Sequence, residues 1–243
     1  MRVVALAGEG GKAAVRLAAR LGECTAIFVG AGAPAAAAAL QQAHADGAVE
    51  LIHLWDGALA EMEREGMTRE LMLSAILATF GRRLEARLFV VPDIASGWLG
   101  PALAEELDVP HLTAVLAAEL LPDDAQADAA SSSRSSPLLP ELMVRRRCHR
   151  GIQRLRGPAI GVLCVLPQPD GKPNAPPPPK NQVEIQRWDL ARLGLGPVDL
   201  PRSLLRPVLP ERHSEITGRN FDNLAALAER MRQDGLVPTG GES

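Results

Sequence analysis

Aromatic side chains are scarce: the 243-residue chain has no Tyr, three Trp and four Phe. That argues against the stacking platforms on which single-stranded nucleic acids are held, and it requires an aliphatic core. Cysteine is scarce too. Cys24, Cys148 and Cys164 are odd in number and form no CxxC pair, so neither a disulfide framework nor a zinc site is indicated, and each reads as a small buried apolar residue. Long hydrophobic runs are missing. The apolar residues 3–7 stop at Gly8-Glu9-Gly10, too short for a signal peptide and far below the ~20 residues of a membrane span. A cytoplasmic chain without a membrane span is the expectation. An excess of one charge is absent as well: 26 Lys+Arg against 29 Asp+Glu leave a formal net charge of −3, which gives no global field for nucleic acid or anionic membrane. His44, His53, His111, His149 and His213 sit in no metal spacing, and neither a G-x-S-x-G elbow nor a P-loop occurs. No metal site and no catalytic group is expected. Asp93 with His111 or His53 can be drawn as an acid/base pair, but no spacing selects them and they read as structural.

What is there is a globular α/β pattern. With 47% hydrophobic and 23% charged residues and a mean hydropathy of +0.02, the chain has a normal core to bury, and its length suits one large domain with an appendage. Apolar runs at 3–7, 25–29, 49–54, 87–91 and 111–116 alternate with helical spacing at 12–21, 34–45, 68–84 and 101–107. Pro34 lies near the start of the second helix and Thr68 is placed to cap the third. Such alternation predicts a Rossmann-like, doubly wound, mostly parallel sheet. Residues 123–136 are acidic, then serine-rich, and read as a loop. Residues 142–156 read as an antiparallel hairpin, followed by one more buried strand over 158–165. Seven prolines between 167 and 182 predict an extended arm, and 221–231 returns as one amphipathic helix. The division expected is an α/β domain over 1–166 with the hairpin at 141–156, a Pro-rich arm over 167–218 and a helix over 219–237.

Three motifs carry candidate chemistry. Gly8-Glu9-Gly10-Gly11-Lys12-Ala13 matches the letters of a dinucleotide fingerprint between strand and helix, but Gly30-Ala31-Gly32 stands where a ribose-binding acid belongs. It is either a phosphate site or a glycine-rich turn. Asp93-Ile94-Ala95-Ser96-Gly97-Trp98 follows the fourth strand, where a doubly wound sheet reverses its order between first and fourth strands and binds its ligands. Amides of Ser96, Gly97 and Trp98 can hold a phosphate there, or Ser96 can simply cap the helix. Arg145, Arg146, Arg147, Arg150, Arg154 and Arg156 lie on the hairpin, where alternation splits them between two faces. A guarded sheet edge is favoured over a nucleic-acid patch.

The order of segments resembles the β subunit of electron transfer flavoproteins. Ala45-Asp46-Gly47-Ala48 is similar to that family's Met-Gly-Ala-Asp turn. Asp93-Ile94-Ala95-Ser96-Gly97-Trp98 followed by Ala104-Glu105-Glu106-Leu107-Asp108-Val109-Pro110 resembles its Asp-Gly-Asp-Thr-Gly-Gln loop and Ala-Glu-Leu-Leu-Gly-(Leu/Trp)-Pro helix end. The hairpin 146–156 and Pro158-Ala159-Ile160 look like its Arg-Glu-x-x-Gly-Gly turn and Pro-Ala-Val strand. Val165-Leu166-Pro167-Gln168-Pro169 stands where the family has Arg-Leu-Asn-Glu-Pro, and Trp188-Asp189-Leu190-Ala191-Arg192-Leu193-Gly194-Leu195 resembles its Trp-x-Leu-Ala-Asp-Leu-Gly-Leu. The family's N-terminal Cys-Val-Lys-x-Val-Pro-Asp segment is replaced by Ala5-Leu6-Ala7-Gly8-Glu9-Gly10.

The resemblance implies an electron-carrying subunit rather than a free-standing catalyst. It implies an α-like partner that holds the redox FAD, and a second adenine nucleotide, AMP or FAD, on Asp93, Ser96, Gly97 and Trp98; Gly8 and Gly10 of the glycine-rich turn are the further nucleotide-binding candidates. Leu166, Pro169 and Trp188 are the implied partner contacts, Leu166 toward a partner dehydrogenase. Two alternatives stay open: a nucleotide-free scaffold that keeps only the partner interface, and an NAD(P)-binding Rossmann enzyme using Gly8, Gly10 and Ala13.

Overall fold

In the computed structural model, residues 1–30, 32–64, 69–93, 97–121, 140–167, 183–196 and 199–200 are described. Four short apolar strands form the middle of a single sheet: β1 (Arg2–Leu6), β2 (Glu23–Val29), β3 (Glu50–Leu54) and β4 (Leu88–Pro92). Their near-continuous burial is what parallel strands covered on both faces require. The helices α1 (Gly11–Leu21), α2 (Ala33–Ala45), α3 (Gly57–Arg64), α4 (Arg69–Arg83) and α5 (Leu99–Leu107) connect them and lead to β5 (His111–Leu120). Then come β6 (Glu141–Cys148), β7 (Gly151–Pro158), β8 (Gly161–Val165), β9 (Ile185–Trp188) and the short α6 (Leu190–Leu193).

The strand order is β7-β6-β5-β8-β4-β1-β2-β3-β9. From β9 to β5 every pairing is parallel, while β5, β6 and β7 pair antiparallel. The fold is therefore the expected doubly wound, mostly parallel sheet. Each face buries its own core. Leu17, Leu21 and Leu40 of α1 and α2 pack on one side, and Met72, Ile76, Phe80 and Leu103 of α4 and α5 on the other. Because β1 lies between β2 and β4, the order reverses at β1/β4, as the strand count predicts.

Several expectations shift. The strand expected from residue 158 starts at Gly161, since Pro158 ends β7 and the Ala159 amide donates to Pro140 O at 2.7 Å. Gly161 has φ +133, and any Cβ there would run into the Pro110 carbonyl. Strand β5 extends to Leu120, beyond the expected residue 116. Helix α3 and strand β9 carry too little periodicity to be read in advance. The loop 123–136, Thr68 and the C-terminal helix 219–237 lie outside the described residues.

Strand β9 completes the sheet by pairing in parallel with β3, Trp188 opposite Leu54. Polar contacts fix its register: Gln186 Nε2 donates to Glu50 Oε1 (3.2 Å), and Thr25 Oγ1 donates to Glu50 Oε2 (2.9 Å). Trp188, 8% exposed, packs edge-on to Phe80 at 5.3 Å, with the Arg192 guanidinium 4.4 Å from its ring centroid.

Candidate functional site

The carboxyl ends of β1, β4 and β8 form the switch-point edge, and the loops that leave them hold most of the sequence candidates. After β1 the Ala7 amide donates to Ile27 O (2.8 Å), and the Gly11 amide closes a tight turn onto Gly8 O (2.9 Å). Gly8 and Gly10 have φ +118 and +71, conformations that favour glycine. A Cβ on Gly10 would stand 3.3 Å from Pro92 Cβ, and one on Gly8 would stand 3.4 Å from the Phe28 ring. The two loops of the switch point thus approach closely. Gly10 is also the N-cap of α1 and offers no side-chain oxygen to its first turn, where the positive end of the helix dipole lies.

The β4–α5 loop presents a second such end. Gly97 has φ +64, and a Cβ there would meet no atom of the described residues within 4 Å. Trp98, 69% exposed, is the N-cap residue of α5, again without a side-chain cap. Ser96 lies outside the described residues. Helix α5 starts two residues earlier than expected, and its Gly100 packs so closely on Cys164 of β8 that a Cβ would overlap Sγ.

Asp93 does work that its sequence neighbourhood does not announce. Its amide donates to Val165 O (2.8 Å), and its Oδ2 accepts the Ala114 amide at 2.8 Å. Ala114 has φ +56 and lies where the β5–β8 register shifts between Leu112 and Val115. A non-glycine residue in that conformation is strained, and the carboxylate holds it. Asp93 also acts on the thiol of Cys164: burial first, then this negative charge, pushes its pKa up to about 12. Burial alone takes Cys24 up to about 12. Both are the inert apolar residues expected, whereas Cys148 is half-exposed at the end of the hairpin.

Leu166 follows β8, half-buried, with its amide donating to Val115 O at 3.0 Å. Trp188 lies in the chain's own core at the far edge of the sheet, remote in strand order from Leu166. Pro169 lies outside the described residues. The histidines read as structural where they are buried. His53 Nε2–H donates to Gly30 O at 3.0 Å and stacks edge-on to Phe28, ring centroids 5.9 Å apart. Phe28 fills the space between Gly8 and Gly30, a placement that a lone aromatic on a buried strand does not announce in the sequence. Among the described residues no group of three or more His, Cys, Asp or Glu gathers to hold a metal, and no helix is long and apolar enough to cross a membrane. An open cavity of about 390 Å³, lined by Arg2, Glu85 and Arg87 among others, opens at the amino ends of the strands, opposite the switch point.

No curated protein matches the chain. The family model for the electron transfer flavoprotein domain matches residues 10–192, from the Gly10 turn to α6. Proteins of that family are flavin-associated electron carriers that work as heterodimers with a partner subunit. A match over most of the length, on a sheet whose order reverses at β1/β4, makes this chain a member of the electron transfer flavoprotein family.

Proposed function

We propose that the chain is the β-type subunit of an electron transfer flavoprotein heterodimer and binds an adenine nucleotide, AMP or FAD, at the switch point. The observation that carries this reading is the pair of helix starts, Gly10 of α1 and Trp98 of α5, at neighbouring strands β1 and β4, where neither N-cap residue caps its helix with its own side chain. Together they supply amide donors and aligned dipoles for a phosphate, and the open space at Gly97 lets one approach the backbone. Gly8, Gly10, Gly97 and Trp98 would hold the nucleotide, joined by Ser96 from the same loop. Bound flavin supplies one- and two-electron transfer. The residues of this chain bind and orient, and the α-like partner holds the redox FAD; Leu166 and Pro169 are assigned to the partner-facing segment.

A nucleotide-free scaffold is the second reading, favoured by one observation: the Asp93 carboxylate is already committed to the Ala114 amide. The discriminating experiment is mass spectrometry of small molecules released on denaturing the chain purified with its co-expressed α-like partner. Nucleotide binding requires near-stoichiometric AMP or FAD beyond the partner's own flavin, and its loss in Gly97→Val with pairing retained. A heterodimer that releases no such nucleotide and shows no saturable AMP binding establishes the scaffold. A chain that stays monomeric beside the α-like protein, in a mixture without flavin, overturns both.

A further inference from the structure

Helix α4 runs back toward the amino end of β4, so its first residue, Arg69, stands at the carboxyl edge of the sheet. Its Nη2 lies 3.9 Å from the point that a Cβ on Gly30 would occupy, just past the end of β2. Gly30 itself is fixed there: its amide donates to Leu54 O (3.2 Å) and its carbonyl accepts His53 Nε2–H (3.0 Å). Arg69 is exposed and has a contact of its own within the fold, which helps to position its guanidinium, and the several N–H donors of that group leave others for a ligand.

A doubly wound dinucleotide site places the ribose over the end of its second strand, where an acidic residue takes the 2′-hydroxyl. Here that position is glycine, with a cation beside it. The neighbouring acids do not take its place. Both oxygens of Asp56, after β3, accept backbone amides, from Ala58 at 2.9 Å and from Leu190 at 3.4 Å. Glu70 follows Arg69 but is turned from it by about 100° around the helix, and Glu9 lies in the turn after β1, one strand away. Neighbouring strands are about 4.8 Å apart, so a nucleotide with its 5′-phosphate between the helix starts at β1 and β4 brings its ribose toward β2. A carboxylate there would repel a phosphorylated ribose, whereas a guanidinium fork binds one through paired, charge-assisted hydrogen bonds.

We propose that the switch-point site selects adenine nucleotides that carry a further phosphate on the ribose, and that Arg69 receives that phosphate. The inference rests on the nucleotide reading above and names the class of nucleotide. The chain with its co-expressed α-like partner, dialysed to remove retained nucleotide, is titrated in a calorimeter with AMP, ADP, 2′,5′-ADP and 3′,5′-ADP. The expected result is that 2′,5′-ADP or 3′,5′-ADP binds roughly tenfold or more tighter than AMP, the worth of a charge-assisted hydrogen bond. The tighter of the two tells whether the phosphate belongs on the 2′ or the 3′ oxygen. ADP, whose second phosphate extends from the 5′ end, gains nothing comparable. Arg69→Met brings the ratio toward one, and Arg69→Lys, which keeps the charge without the fork, retains part of it; a thermal melt verifies that both variants fold. Equal affinity for AMP and both ribose phosphates, an equal gain for ADP, or a ratio unchanged in Arg69→Met overturns the selectivity and leaves the nucleotide site standing. Failure of all four ligands to bind overturns the nucleotide reading itself, and the selectivity with it.

Discussion

The bond between Asp93 and Ala114 decides whether the one acidic residue of the switch-point loop serves the fold. Removing it by Asp93→Ala leaves the Ala114 amide, half-buried in a strained turn, without its acceptor at 2.8 Å. A hydrogen bond to an ionised group contributes about 1.5–3 kcal/mol, and the half-exposed position of Asp93 puts it at the lower end, near about 1.5 kcal/mol. For a domain of this size each kcal/mol moves Tm by about 2–4 °C, so Asp93→Ala should lose about 3–6 °C. The partner substitution acts in the opposite direction. Alanine at φ +56 costs roughly 1–2 kcal/mol in the left-handed region, of which Ala114→Gly recovers about half after the entropy of glycine is subtracted. A double-mutant cycle in urea, followed by the fluorescence of buried Trp188, reads the coupling. Asp93→Ala should cost at least about 0.5 kcal/mol less in the Ala114→Gly background, because the relaxed turn lets its amide reach water. Additive effects, or an Asp93→Ala variant with an unchanged urea midpoint, would refute the structural role and return the carboxylate to the nucleotide.

Alkaline stability should fall from pH 9 toward pH 12, because Cys24 and Cys164 ionise near 9.0 when unfolded but only at about 12 when folded. Their contribution is complete below the unfolded value and is lost as pH rises through the folded one; Cys24→Ala should flatten the slope by up to about 1.4 kcal/mol per pH unit in urea titrations. Thiol labelling of the native chain should modify Cys148 at once and the two buried cysteines only after unfolding. Trp188→Ala removes a ring packed on Phe80 and Arg192, should cost about 3–5 kcal/mol, and should expose the β9 amides to hydrogen exchange while β1 and β4 stay protected. Gly100→Ala forces a methyl group against Cys164; a cost of about 1–3 kcal/mol is expected, and its absence in thermal melts would mean that α5 can slide away from β8.

Local patterning alone determined the alternation of strands and helices, the buried character of β1, β4 and β8, and the glycine turn after β1. Each of these is written in consecutive residues: apolar runs too short for helices, helical spacing between them, and glycines at φ +118 and +71 where the turn needs them. Strand β9 was not legible because an edge strand of Ile185–Trp188 gains its stability from β3, Glu50 and Phe80, which are distant in sequence. The destination of Asp93 was equally hidden: its motif points to a phosphate, while its acceptor role exists only because β5 bulges beside it. On the hairpin the sequence supplied the arginines and the turn, but their sorting onto faces depends on register. Pairing Arg145 with Arg154 gathers four on one side, and a slip of one residue in that pairing would scatter them. Register and long-range pairing are energies of contact between remote segments, so only the tertiary structure decides them.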